Sequence, residues 1–335
     1  MSKKSKRKNN LKESIILLLL LILLLVSSTY AWFTANQTVT ISTIDVTIEA
    51  SNGLQISTDA TTWKAIISNE DITTNAYTDH ANELPTSMVP VSTIGTIDTN
   101  GYMEMFKGIV AANETTGEYE LTAVKAEEGT GQFIAFDIFL RVDADTALQL
   151  TDASSVKVAE NSTDKGIKQA SRVAFVIQGN APAGTDVSEL TELTATADSP
   201  LYIWEPNSNL HTDAAVSHAY DTYSITTTSD GKATEIDYYG IKQVISTPVN
   251  LANTNGNDTT SFAAVEPDYI TDADEDGNIT AAEDIFTLTA GITKIRMYMW
   301  IEGQDVDCEN TASGTDISFN VQFTVKSEEE GGEGA

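Results

Sequence analysis

The chain of 335 residues carries 49 acidic against 19 basic side chains, which gives a formal net charge of −30 at pH 7. A surface with this charge repels phosphate backbones and excludes nucleic acid as a partner. The single cysteine, Cys308, excludes an intrachain disulfide. Hydrophobic residues make up 41% of the chain, which is enough to fill a substantial core.

The first 31 residues have the order of a secretory signal peptide. A basic segment, 3–12, precedes the unbroken apolar run Ile15–Val26, and small residues follow up to Ala31. Because this run is shorter than the roughly 20 residues of a membrane span, we expect a signal peptidase to cleave near Ala31. The alternative is an uncleaved anchor that reaches through Phe33. Cleavage removes six basic residues and one acid, so the exported chain would carry a net charge of −35.

The sequence therefore predicts a secreted protein of the extracellular space or cell surface. Its contact with a membrane is expected only through residues 1–31 before they are cleaved.

The residues at this junction carry a family resemblance. Ser28–Thr34 reads Ser-Thr-Tyr-Ala-Trp-Phe-Thr and resembles the signal-peptide junction of the TasA/camelysin family of Gram-positive secreted matrix proteins. The Thr- and Ser-rich run Thr38–Ile48 resembles the first strand of their mature chains. The resemblance implies self-association into a filament or multimer, with the N-terminal strand of one subunit added to the sheet of the next.

Four later segments resemble recurring blocks of uncharacterised Firmicute exported proteins, and no activity is attached to those blocks. They are Phe136–Leu140, Arg172–Val176, Ile203–Asn207 and Trp300–Gly303.

The predicted N-terminal strand, 36–50, contains a break in its alternating pattern. Val39 and Ile41 lie on one parity, whereas Ile44 and the apolar residues after it lie on the other. A β-bulge near Ser42-Thr43 would restore a single inward face. The alternative is a donor strand whose two halves are buried against different subunits.

Further windows alternate apolar and polar residues with a period of two, which is typical of half-buried strands. The predicted strands lie at 54–57, 119–125, 134–142, 172–178, 201–204, 234–247, 286–290, 295–302 and 319–325. Helical periodicity is confined to a short predicted helix at 164–171 and an ambiguous stretch at 211–220.

Strands without alternating helices predict an all-β fold over residues 32–326. We expect a β-sandwich of jelly-roll-like form, with long loops and one or two short helices. The acidic, glycine-rich tail 327–335 is predicted to be disordered.

The segment Asp272–Glu283 matches the twelve-residue calcium loop D-x-[DN]-x-[DN]-G-x5-E. Gly277 would permit the sharp turn, and a strand-like sequence follows, so we expect a calcium loop inserted near 270–285 rather than a complete EF-hand. Ca²⁺ would be structural here, and an acidic solvated loop is the alternative. The predicted metal ligands, in the order of the motif, are Asp272, Asp274, Asp276, Asn278, Thr280 and Glu283.

The sequence contains no recognisable catalytic motif, and we expect no enzymatic activity. The histidines His80, His211 and His218 lie outside any H-E-x-x-H pattern and are expected at the surface. The acidic segment 305–309 is expected to be a solvated turn, with a second cation site as the alternative.

These patterns together predict a non-catalytic exported subunit of an extracellular filament or biofilm matrix, stabilised by calcium. The alternative is a monomeric calcium-stabilised surface adhesin or carbohydrate-binding module. In that alternative, Trp63, Trp204 and Trp300 would line a sugar-binding face instead of packing in the core.

Overall fold

The computed structural model describes residues 40–48, 54–74, 77, 84–85, 88–128, 131–159, 162–163, 165–217, 238–251, 257–279, 283–308 and 315–326. The predicted signal peptide, the tail and two of the histidines, His80 and His218, lie outside these residues. The expectations about them stay predictions.

The described part of the chain is mostly strand, which confirms the predicted all-β class. Short helices are α1 (Asn69–Thr74) and α2 (Val187–Glu192), and a further helical turn covers 213–217. The strands are β1 Thr40–Ile48, β2 Gln55–Ser57, β3 Ile66–Ile67, β4 Met105–Ala112, β5 Tyr119–Ala126, β6 Ile134–Val142, β7 Thr146–Leu150, β8 Ser155–Val158, β9 Ser171–Ala181, β10 Leu201–Glu205, β11 Tyr238–Ile241, β12 Ile245–Asn250, β13 Phe262–Val265, β14 Tyr269–Ile270, β15 Glu283–Leu288, β16 Gly291–Ile301 and β17 Asp316–Val325.

Two predicted elements differ from the structure. In place of the helix expected at 164–171, residues 167–170 form a single turn. The amides of Gln169 and Ala170 both donate to the carbonyl of Gly166, and the turn does not continue because β9 begins at Ser171. Gly166 itself has φ +101°, a left-handed conformation that ends regular structure. The window 234–247 contains two strands, β11 and the start of β12, separated by a turn.

Two six-stranded sheets pack face to face as a sandwich. Sheet A has the order β15-β7-β17-β1-β3, with β8 also paired to β17, and sheet B has the order β14-β10-β9-β16-β6-β2. Apolar side chains of both sheets form one core, in which Phe175 of sheet B meets Phe323 of sheet A at 5.7 Å between ring centroids, edge to face. This packing is the β-sandwich that the period-two pattern predicts.

The second face of sheet B is also covered, which the sequence pattern did not indicate. All eleven positions of β16 are buried, so the expected half-exposed strand is wrong. Tyr298 and Trp300, on the face away from sheet A, pack in a second apolar cluster with Met105 of β4 and Tyr238 of β11. Beyond them lie a three-stranded sheet, β12-β5-β4, and the pair β11-β13.

The first and last of the described strands are neighbours in sheet A. β1 pairs in parallel with β17, and the register shifts between Ile41 and Thr43, which confirms the predicted bulge. Ile41 lies beside Ile317 before the bulge, and Ile44 lies beside Phe319 after it. Since both partners on β17 are fully buried, the extra residue keeps the apolar positions of β1 in register with the buried face of β17.

Candidate functional site

The acidic loop connects β14 to β15 and turns at Gly277. This glycine has φ +82°, and a Cβ there would lie 2.7 Å from the carbonyl oxygen of Val156. Both its backbone conformation and its close approach to β8 therefore require glycine. Ile279, two residues later, is buried in the core between the sheets. The sharp turn predicted from the motif is thus present.

Hydrogen bonds to Asp274 hold the turn of the acidic loop together. Its carboxylate accepts hydrogen bonds from the backbone amides of Asp276, at 3.0 Å, and Asn278, at 2.9 Å, and from the Asn278 side-chain amide. These bonds lower the pKa of Asp274, with the Asn278 side chain as the largest cause. The backbone amide of Asp274 also donates to the Asn278 carbonyl at 2.9 Å.

Three polar side chains hold the loop against the sandwich, and one of them, Lys168, is buried. The ammonium group of Lys168 donates to the carbonyl of Glu275 at 2.8 Å, and that of Lys157 donates to the Asn278 side chain at 2.5 Å. Asn209 makes two hydrogen bonds to the backbone of Ala273, at 2.8 and 3.0 Å. The loop therefore has protein anchors on both of its arms.

The predicted calcium ligands are placed in part. Asp272 and Asp276 are exposed, and their carboxylates suit a hard cation. Thr280 lies outside the described residues, as does the side chain of Glu283, whose backbone opens β15 beside Leu150. No group of three acidic, histidine or cysteine side chains is gathered for a metal among the residues described. The oxygen donors of the loop fit Ca²⁺. To bind the ion, Asp274 would have to give up the hydrogen bonds that its carboxylate accepts from Asp276 and Asn278.

A second polar site, which the sequence did not predict, surrounds Arg172 at the start of β9. Its guanidinium group lies 2.8 Å from the Glu205 carboxylate and 2.5 Å from the Asp305 carboxylate, and all three side chains are buried. The guanidinium group also lies over the ring of Tyr238, at 5.4 Å. Burial by itself lowers the pKa of Arg172, but the charges of Glu205 and Asp305 outweigh it and keep the group protonated.

Glu302 lies beside this ion pair at the end of β16 and is fully buried. It accepts hydrogen bonds from the indole nitrogen of Trp300, at 3.1 Å, and from the backbone amide of Gln304, at 3.0 Å. Burial raises the pKa of Glu302 to about 7, so this carboxyl holds its proton close to neutral pH.

Asp307 completes the set of buried acids. It lies 2.5 Å from the Nδ1 atom of His211 and accepts a hydrogen bond from the backbone amide of Thr212 at 2.9 Å. Burial raises the pKa of Asp307 to about 6. Burial by itself lowers the pKa of His211, but the hydrogen bond and charge of Asp307 outweigh it and raise the pKa.

These contacts correct two predictions. The segment expected to be a solvated acidic turn is buried at Asp305 and Asp307, because Arg172 and His211 supply cationic partners. Glu309 of the same segment lies outside the described residues. The side chain of His211 is only 5% exposed, so its expected surface position is wrong.

The sequence did contain a faint signal for this site. Arg172, Glu205 and Glu302 each stand at the end of a strongly apolar strand, and their charges differ in sign. A charge in such a place is rarely buried without a partner. We use the name buried ion cluster for six side chains: Arg172, His211 and the four carboxylates of Glu205, Glu302, Asp305 and Asp307.

A separate buried ion group ties β6 to β16. Asp137 and Arg296 are directly opposite across the two strands, with the Nε atom of Arg296 2.7 Å from the carboxylate. Burial by itself raises the pKa of Asp137, but Arg296 outweighs it and holds the pKa at about 2. Lys294, whose pKa burial lowers to about 8, lies 3.5 Å from the same carboxylate and donates to the carbonyls of Thr191 and Leu193. This group fastens the end of α2 to sheet B.

Trp63, Trp204 and Trp300 do not form a sugar-binding face. Trp204 and Trp300 are fully buried, and their indole nitrogens donate to Thr271 and Glu302. Trp63 is half-exposed and is covered by the guanidinium group of Arg141 at 4.4 Å. Packing in the core, the alternative to a sugar-binding face, is therefore correct for Trp204 and Trp300.

No protein-family model, curated protein or solved structure matches this chain. Among the residues described, no helix is both long and apolar enough to cross a membrane. The class that fold and contacts define is an all-β, sandwich-like protein with a cluster of buried ion pairs.

Proposed function

We propose that the chain is an exported, non-catalytic structural subunit that assembles with copies of itself by exchanging β1. The observation that carries the proposal is the position of β1. It is the first strand in the described part of the chain, and it lies between β3 and β17 with eight register pairs to β17.

A strand at the chain terminus can leave a sheet without unthreading any other segment. The same strand from another copy offers identical hydrogen bonds, so exchange between subunits changes few contacts inside the sandwich. A β17 without β1 would present an unpaired edge beside the buried residues Phe319 and Val321. Such an edge is a template for another strand.

Charge opposes this assembly and gives calcium its role in the proposal. Subunits of net charge −35 repel one another. Exposed carboxylates at Asp272 and Asp276 would bind Ca²⁺ and remove part of that repulsion. Extracellular loops of this kind work at dissociation constants of about 10⁻⁴–10⁻³ M, so millimolar calcium is the condition to test.

A pair of cysteines distinguishes β1 within its own subunit from β1 in a neighbour. Val46 and Val321 are register partners on adjacent strands, and Val→Cys changes little volume. The double variant Val46→Cys/Val321→Cys is made in residues 32–335 with Cys308→Ala, and is oxidised after incubation with and without millimolar Ca²⁺. Strand exchange predicts a ladder of disulfide-linked chains on non-reducing gels, together with fibres or multimers by negative-stain microscopy.

The matched control is Val46→Cys alone with Cys308→Ala, which should give at most dimers. Oxidation of dilute protein before assembly should instead link β1 to its own β17 and block multimers until a reductant is added. Monomers with only intrachain disulfides under every condition would overturn the proposal and favour a monomeric adhesin.

A further inference from the structure

The segment 205–212, which we name the strap, continues from β10 and joins two parts of the molecule. On one side the carbonyl of Glu205 accepts a hydrogen bond from Thr271, and Asn209 pairs with Ala273 at the base of the acidic loop. On the other side, His211 and Thr212 bind the Asp307 carboxylate. The strap is therefore held against the loop 302–308 largely through the buried ion cluster.

The cluster contains more buried acids than cations. Arg172 is shared between two of the carboxylates, Glu205 and Asp305, and Glu302 receives its hydrogen bonds from neutral donors. The titratable and charged groups that face one another here come from β9, β11, the strap and the loop: Arg172, Tyr238, Glu205, His211, Glu302, Asp305 and Asp307.

Protonation decides how well these charges balance. With Glu302 neutral and His211 charged, three ionised carboxylates face two cations, which leaves one negative charge in excess. When Glu302 and His211 have both lost a proton, four carboxylates face Arg172 alone, and the excess is three. Buried charge without a partner is costly, because the low-dielectric interior replaces little of the lost hydration.

We infer that the buried ion cluster is a protonation-dependent clasp that holds the strap against the loop 302–308 and loosens as the pH rises above neutral. A protein exported to an environment of variable pH would thereby fasten the strap, and with it the base of the acidic loop, more tightly in mild acid.

Proton linkage determines the direction in which pH changes the stability of the closed state. A carboxyl whose pKa is higher in the closed state than in the open state stabilises the closed state most at low pH, and this stabilisation is lost as the pH rises through the folded value. For Glu302 the pKa is about 7 in the closed, folded state, against the ordinary value of 4.5 for a solvated carboxyl in the open state. Moving from pH 6 to pH 8.5 then increases the open fraction about tenfold for this residue alone. The raised pKa of Asp307 and that of His211 act in the same direction.

Amide hydrogen exchange of residues 32–335 tests the clasp, measured in EDTA so that cation binding does not contribute. The reporting amides are those of Thr212 and Gln304, which donate to Asp307 and Glu302. After correction for intrinsic base catalysis, their protection should fall about tenfold or more between pH 6 and pH 8.5. Amides of the β6–β16 ladder, such as that of Met297, should change little.

Glu302→Gln keeps an acceptor for Trp300 and Gln304 but cannot ionise, so its loss of protection over this pH range should be clearly smaller. Asp198→Asn, which neutralises an exposed carboxylate, is the matched control and should behave as the unmodified protein. If Glu302→Gln does not fold, the pH series of the unmodified protein still decides. Equal protection at both pH values, or an equal loss in the β6–β16 ladder, would overturn the inference.

Discussion

Replacing Arg172 tests most directly whether the buried ion cluster holds the start of β9 to the loop 302–308. In Arg172→Met the apolar stem is retained, but the carboxylates of Glu205 and Asp305, 7% and 5% exposed, lose the guanidinium group that lies 2.8 and 2.5 Å from them. Breaking a buried pair in this way costs about 3–5 kcal/mol, because a charge is left buried without its partner.

The free energy of unfolding is measured by urea denaturation at pH 7, followed by tryptophan fluorescence, since Trp204 and Trp300 are buried and report on the core.

Arg141→Met is the matched control, because this arginine also lies over an aromatic ring, that of Trp63, but at the surface of the sandwich. It should cost about 1 kcal/mol or less. A triple variant that adds Glu205→Gln and Asp305→Asn to Arg172→Met should recover part of the stability. The reasoning is wrong if Arg172→Met costs no more than Arg141→Met, or if the triple variant is less stable than the single one.

Two further predictions concern a glycine and the acidic loop. A Cβ on Gly240 would lie 2.1 Å from the carbonyl oxygen of Thr93, so Gly240→Ala should lower the free energy of unfolding by at least about 1–3 kcal/mol. Gly184 has open space around it, so Gly184→Ala should cost only the backbone strain of its left-handed conformation. Urea denaturation distinguishes the two, and equal losses would contradict the contact. Addition of 10 mM Ca²⁺ should stabilise residues 32–335 by about 1.4–2.7 kcal/mol if the loop binds with a dissociation constant of 10⁻³–10⁻⁴ M. Asp276→Asn should remove most of this gain and Glu275→Gln, outside the ligand positions, should not; a gain equal in both variants would place the calcium elsewhere.

Local pattern was sufficient where a single strand face or a single turn was at issue. The alternation along β17 predicted a strand whose buried and half-buried residues alternate without a break. The parity change in the first strand gave a bulge as one of two alternatives, and the structure has that bulge; the motif predicted the sharp turn at Gly277. Each of these features depends on neighbours within a few residues, so the order of residue types carries it.

Tertiary structure decided which charges are buried and what covers each sheet. β16 alternates in sequence as a half-exposed strand does, yet both of its faces are buried, because a second layer of strands covers the side away from sheet A. Arg172 and Asp305 are separated by 133 residues and meet at 2.5 Å only when β9 and the end of β16 lie side by side. Periodicity records the direction in which a side chain points from its own strand, but the partner that it meets there is set by the packing of distant segments, which alone determines whether a charge is solvated or buried.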